Sequence, residues 1–267
     1  MASHWYFVPK KISSPRLRLI CFPYAGGGIR TYQPWANQLP DGVELVAVQP
    51  PGRGSFIGTK AYNSMAELVA ALQDELQPLL DRPYVLFGHS LGSRVAFELL
   101  HQIQIKQQRL PELFLASGSC SPDTVRVKAP TYHLSDDKFI AELQRMNGTP
   151  SEVLENKEFM SFLLPLLRAD FQIAETYRYT GITNFPLEVH VLGGEDDVDV
   201  PVENLPLWGN FFNNNVKVHT FVGDHFFIES QQDAVVRLVK QLLQTHLLGV
   251  VNEQSSYFSS DVLLDCK

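Results

Sequence analysis

An apolar run, Tyr84-Val85-Leu86-Phe87, leads directly into Gly88-His89-Ser90-Leu91-Gly92, and Val95, Leu99 and Ile103 then recur at helical spacing. A short buried strand, a tight turn and a helix in immediate succession leave few folds open. Glycine is needed on both sides of the turn because a side chain there would collide with neighbouring backbone. The arrangement is that of a nucleophile elbow, which raises a strained serine above a sheet, and it makes Ser90 the candidate nucleophile.

The rest of the chain alternates strand and helix. Leu17 to Phe22, Val43 to Val48, Leu113 to Ala116, Leu187 to Leu192 and Val216 to Val222 read as further strands. Ser64, with Glu67 completing a capping box, starts a helix running to about Leu80, and Asp233 to Leu248 forms a closing helix. Such alternation predicts an α/β fold with a mostly parallel central sheet covered on both faces.

One segment breaks the pattern. From Cys120 to about Thr183 there is no strand, and two or three helices take its place. The first starts at Ser135, which can cap it, with Asp136 and Asp137 favouring the positive end of the helix dipole, and stops at Asn147-Gly148. The next is dense in Phe159, Phe162, Leu163, Leu164, Leu166, Leu167 and Phe171. An all-helical piece inserted between two strands is where a sheet of this kind carries a lid. Residues 1–250 are expected to form one domain with a lid at about 121–183, and 251–267 a mobile tail.

Composition narrows the setting. Among 267 residues, 45% are hydrophobic and 19% charged, as in ordinary globular proteins. The first eight residues show no basic region followed by an apolar stretch, so no signal peptide is expected, and no run is long enough to span a membrane. Cys21, Cys120 and Cys266 are odd in number and widely spaced, which argues against disulfides or a zinc site and for a reducing cytoplasm. A net charge of -7 argues against nucleic acid, since counterion release requires clustered Lys and Arg.

A serine hydroxyl needs a base oriented by a third group. In this architecture the chain order is Ser, then Asp or Glu, then His. Only His225, in Gly223-Asp224-His225-Phe226-Phe227, follows the last strand; His190 and His219 fall inside strands, and His89 points away from Ser90 at the turn. Asp196, Asp197 and Asp199 compete for the acidic place, and the absence of accompanying His or Cys argues against a metal there. Oxyanion donors are expected at the Leu91 amide and in the loop Tyr24-Ala25-Gly26-Gly27-Gly28, which fits neither a P-loop nor a dinucleotide fingerprint.

These residues resemble the type II thioesterases that accompany nonribosomal peptide and polyketide synthases, related to the vertebrate medium-chain fatty acid thioesterase. The similarity runs from Trp5 to about Leu248. It rests on Cys21-Phe22-Pro23-Tyr24-Ala25-Gly26-Gly27, Gln49-Pro50-Pro51-Gly52-Arg53, the elbow, Leu166-Leu167-Arg168-Ala169-Asp170-Phe171 with Glu175-Thr176-Tyr177, Gly193-Gly194-Glu195-Asp196-Asp197 and the His225 loop. There are two departures: Ser55-Phe56-Ile57 stands where the family often has another Arg, and Val198 where it often has Pro.

The resemblance implies an α/β-hydrolase fold and a triad of Ser90, Asp197 and His225, with Ala25 as the first oxyanion donor. It implies hydrolysis of misprimed or stalled acyl groups from the phosphopantetheine arm of an acyl or peptidyl carrier protein, without metal or dissociable cofactor. The enzyme is expected to be a monomer that meets its carrier transiently. The alternatives are a chain-terminating fatty acyl thioesterase, an acyl-CoA or ester hydrolase, and an idle carrier-binding module. Phe162 and Phe171 are the expected lid residues against the acyl group, and Arg30, Arg53 and Arg94 the scattered cations around the mouth.

Overall fold

The computed structural model describes residues 3–213 and 215–260, with side chains as far as Leu247. Seven strands form one sheet: β1 (Tyr6–Phe7), β2 (Leu17–Phe22), β3 (Val43–Val48), β4 (Tyr84–His89), β5 (Leu113–Ser117), β6 (Val189–Gly194) and β7 (Val216–Phe221). Their spatial order is β1-β3-β2-β4-β5-β6-β7, with β1 antiparallel and every other pairing parallel. Strands β2 to β6 are buried at every residue, as a parallel sheet with both faces covered requires.

Side chains alternate across the pleat, so each strand feeds two cores. Ile20, Phe22, Val46 and Val48 pack with Leu68 and Leu72 of α1 (Met65–Leu76) and with Val95 and Leu99 of α2 (Leu91–Ile105). Leu19, Cys21, Leu45 and Ala47 pack on the opposite face with Trp35 and with Val235, Val239 and Leu243 of the closing helix. Between β5 and β6 the chain forms α3 (Asp136–Arg145), α4 (Ser151–Glu155) and α5 (Lys157–Thr176). A single turn, α6 (Phe227–Ser230), precedes the closing helix α7 (Gln232–Ser260). This is the α/β-hydrolase arrangement with a helical insertion.

The differences from the sequence reading have local causes. Strand β1 is two residues long, too short to carry a period. Strand β6 runs on through Gly193 and Gly194, which pair with Thr220 and Phe221; an apolar pattern stops at glycine, but the ladder does not. Helix α1 stops at Leu76 and tightens into a 3-10 turn at Gln77–Leu79, where Pro78 lacks an amide to continue it. Ser135 precedes α3, but its side chain caps nothing; its carbonyl accepts from the Phe139 amide at 2.8 Å. Helix α7 extends past the expected end at Leu248. Of the expected tail, residues 261–267, including Cys266, lie outside the described residues, as do the side chains of 251–260. No helix among the described residues is long and apolar enough to cross a membrane.

Candidate active site

At the end of β4 the backbone turns so sharply that a Cβ on Gly88 would sit 2.3 Å from the Gly92 carbonyl oxygen, and one on Gly92 2.1 Å from that of Phe22. Ser90 takes φ 55° and ψ −117°, a strained conformation for a residue with a side chain. Buried hydrogen bonds hold it there. The Ser90 amide donates to the Ser117 carbonyl at 2.7 Å. The Ser93 hydroxyl lies 2.7 Å from the Gly88 carbonyl and 2.9 Å from that of Ser117, and accepts from the Ser117 amide at 3.1 Å. Ser93 carries no motif of its own and was not readable as part of the site.

The elbow, the acidic loop after β6 and the loop after β7 meet at Ser90. His225 Nε2 lies 2.8 Å from Ser90 Oγ, and its Nδ1 lies 2.6 Å from Asp197 Oδ2. Asp197 is 5% exposed, and its other oxygen accepts from the amides of Asp199 and Val200, both at 3.0 Å. Of the three competing carboxylates only Asp197 reaches His225. Asp196 is exposed, and Asp199 turns to Lys128 and, at 3.5 Å, to Arg145.

His89 points away from Ser90, as expected, but it also supports the site. Its Nε2 is 3.0 Å from the His225 carbonyl and its Nδ1 2.8 Å from Ser117 Oγ. A carbonyl only accepts, so Nε2 carries the hydrogen, and Nδ1 receives the Ser117 hydroxyl. Complete burial, with the neighbouring His225 charge second, holds the His89 pKa well below its usual value. A neutral ring therefore pins the backbone of His225.

Beside Ser90 a cavity of about 120 Å³ is bounded by Ala25 and Leu91 on the sheet side and by Met146, Phe171 and Glu175 of the insertion. Among the described residues, neither the Ala25 nor the Leu91 amide donates to a protein acceptor. Residues Tyr24 to Gly27 form a tight turn, the Gly27 amide donating to the Tyr24 carbonyl at 2.9 Å, with Gly26 at φ +77°. Positive φ at the third position is the mark of a type II turn and favours glycine.

Two expectations about side chains, those for Phe162 and Arg53, are corrected. Phe171 lines the cavity, but Phe162 is 55% exposed and faces a separate, open depression beside Ile57 and Lys60. The two lie nine residues apart on α5, half a revolution at about 100° per residue, so only one can face Ser90. Arg53 is buried: Nη1 donates to the Gly27 carbonyl and Nη2 to Asp170, each at 2.8 Å. Arg94 sits in the cavity wall and donates to the Ala174 carbonyl at 2.6 Å, near the end of α5. Of the three, Arg30 is exposed, and the exposed cations that line the cavity are Arg126 and Arg145. Glu175 is a further buried group whose contacts sequence alone did not reveal. It accepts from the amides of Thr131 and Tyr132 and from Arg126, tying the start of the insertion to its last helix.

Comparison with known proteins places the chain in a family. The sequence matches the thioesterase domain family over residues 17–243. Gramicidin S biosynthesis protein GrsT of Aneurinibacillus migulanus is 34% identical over 239 residues, covering 89% of this chain and 93% of that protein. The protein named linear gramicidin dehydrogenase LgrE, from Brevibacillus parabrevis, is 33% identical over 250 residues, covering 92% and 95%. Among solved structures, the type II thioesterase BorB from the borrelidin biosynthetic cluster is similar with a TM-score of 0.82 at 31% identity, covering 90% of this chain and 98% of that one. The chain belongs to the thioesterase domain family.

Proposed function

We propose that the protein is a discrete serine thioesterase that frees acyl groups from the phosphopantetheine arm of carrier proteins in a nonribosomal peptide or polyketide synthase. The observation that carries the chemistry is the unbroken chain from Ser90 Oγ through His225 to buried Asp197, next to two residues whose amides have no protein acceptor among the described residues. His225 Nε2 takes the Ser90 proton as Oγ bonds to the thioester carbonyl carbon. The Ala25 and Leu91 amides hold the oxyanion, the carbon–sulfur bond breaks, and the imidazolium returns its proton to the departing thiolate. Water then attacks the acyl-serine, giving a proton to His225 that passes to Ser90 as the acid leaves. Asp197 accepts the Nδ1 hydrogen throughout and fixes the tautomer. No step calls for a metal or a dissociable cofactor.

The cavity beside Ser90, bounded by Ala25, Leu91, Met146 and Phe171, is where the acyl group would lie. The carrier role draws on the likeness to GrsT and BorB. Dinucleotide chemistry, suggested by the name of LgrE, finds no cradle in the glycine loop: Gly28 leads into a three-residue 3-10 turn, not a helix whose N-terminus could hold a pyrophosphate. The test compares hydrolysis of one short acyl group on a carrier protein and on coenzyme A. A higher kcat/KM on the carrier is expected, and equal or better efficiency on the acyl-CoA would move the assignment to a general acyl-CoA hydrolase. A fluorophosphonate should label the Ser90 peptide and no other; labelling elsewhere would remove the covalent mechanism.

A further inference from the structure

Helix α5 carries a carboxylate on an otherwise apolar face. Asp170 is 3% exposed and lies among Leu166, Leu167 and Phe171, all buried. Its partner Arg53 comes from a loop 117 residues away and is also buried, and Arg53 Nε has no hydrogen-bond partner among the described residues. A buried ion pair adds little net stability over apolar groups of the same size. Stability alone therefore does not account for this one.

What the pair holds is the glycine turn. Asp170 Oδ2 accepts from the Gly26 amide at 2.7 Å, Oδ1 accepts from Arg53 Nη2 at 2.8 Å, and Arg53 Nη1 donates to the Gly27 carbonyl at 2.8 Å. The contacts close a ring around Gly26 and Gly27. Gly26 N–H belongs to the central peptide of the Tyr24–Gly27 turn. Turn types I and II differ by a flip of that peptide, and glycine permits both. A carboxylate bonded to the central amide selects one of them, since the flipped peptide would turn its carbonyl toward Asp170. Leu167 Cδ2 closes the same side, 2.7 Å from where a Gly26 Cβ would lie. Three successive glycines would otherwise leave the loop loose beside Ala25, which borders the cavity and whose amide has no protein acceptor among the described residues.

We propose that Arg53 and Asp170 are positioning residues that lock the Ala25 amide in place as an oxyanion donor, an inference that rests on the reading of Ser90 as nucleophile. Neither touches the reacting atoms; they act through the turn. Helix α5 supplies both Asp170 and the cavity wall at Phe171, so the oxyanion site is complete only while α5 is docked. Movement of the insertion away from the sheet would open the cavity and disable the donor together.

The test uses the full chain with two variants, the paired Arg53→Met/Asp170→Leu, which leaves no lone buried charge, and Asp170→Asn, which keeps an oxygen for the Gly26 amide. The paired variant should lose about 10² to 10³ in kcat on a short acyl thioester, the scale of one oxyanion donor, with KM within about threefold. A trifluoromethyl ketone analogue, which forms a tetrahedral adduct with serine, should weaken by the same factor. A non-hydrolysable thioether analogue should bind unchanged, and Asp170→Asn should recover part of kcat. Full kcat in the folded paired variant overturns the inference, as does equal weakening of the ketone and the thioether, which is the pattern of general damage. Ser90→Ala run alongside separates the two levels. If it retains turnover the nucleophile reading fails; if it is dead while the paired variant is fully active, only the positioning role fails.

Discussion

The sheet and the helical insertion are held by different forces, and the division of labour at the site follows from this. Strands β2 to β6 bury every residue, and the elbow at their carboxyl ends is fixed by glycines that admit no Cβ and by the Ser93–Ser117 hydrogen bonds. The insertion has a small core around Phe139, Leu143, Met160 and Leu164. It is joined to the sheet side by the ion pairs Arg53–Asp170 and Arg145–Asp199 and by Ile173 and Tyr179 in the sheet's core, while Arg126–Glu175 ties its own start to its last helix. Apolar burial is non-directional and strong, which suits a frame whose geometry must not change. Ion pairs, buried or exposed, add little net stability over apolar groups of the same size, so the insertion is held less firmly than the sheet. In the proposed enzyme the sheet holds the reacting groups, and the insertion bounds the cavity beside them.

The largest effects should follow substitutions on the sheet side. Ser90→Ala should cost about 10⁶ in kcat, and Asp197→Asn about 10⁴, because His225 then loses the acceptor that fixes its tautomer. Asp199→Asn, two residues away but paired with lysine and arginine at the edge of the insertion, should stay within about tenfold. Steady-state kinetics on one acyl thioester ranks the three. A larger loss at Asp199 than at Asp197 would break the contrast between frame and cover.

The same contrast explains what could be read from the chain. The frame was legible because each element carries its own signal: an apolar run for β4, glycines at 88 and 92, helical spacing in α2, and the order serine, acid, histidine. The choice among Asp196, Asp197 and Asp199 was not local. Any loop carboxylate satisfies the order, and burial with two amides at Oδ1 singles out Asp197. The density of Phe and Leu in α5 was plain, but density does not say which residue faces which way. Phase does, and it puts Phe162 opposite Phe171. The Arg53–Asp170 ring joins residues 117 apart and leaves no trace in spacing. Asp170 did leave a hint, a carboxylate on an apolar helical face, which calls for a buried partner.

A smaller effect, in selectivity, should come from the insertion. Phe171 is 8% exposed, lines the cavity and stacks edge-on against Phe139 with ring centroids 5.2 Å apart. Phe171→Leu should raise the ratio of kcat/KM for a longer acyl thioester over an acetyl thioester by about tenfold, the scale of a methylene or two in an apolar pocket. Phe162→Leu should leave that ratio within about threefold. Equal losses on short and long chains at Phe171 would mean that the insertion supports the fold and does not set the chamber.

The smallest effect concerns pH and locates the acid-sensitive point. His89, fully buried at the end of β4, has its pKa held well below 6.5 by burial and, second, by His225. The unfolded chain takes up this proton near 6.5 while the folded chain does not. The contribution to stability is therefore full above pH 6.5 and declines as pH falls below it, by about 1.4 kcal/mol per pH unit, until the folded value is reached. His190 and His219 are depressed in the same direction, first by burial, so the comparison must be with a variant. The insertion behaves differently. Burial opposes the charge on Asp199, but Lys128 and Arg145 outweigh it and hold the carboxyl below 3.8, so its ion pairs stay intact above that pH and loosen only below it. Between pH 5 and 6.5 the sheet side should weaken at His89 while the Asp199 ion pairs stay intact. Urea unfolding at several pH values in that window should give a shallower loss of stability for His89→Gln than for the wild type, by about one proton's worth of slope. Identical slopes would show that His89 is not the buried neutral pin of the His225 backbone.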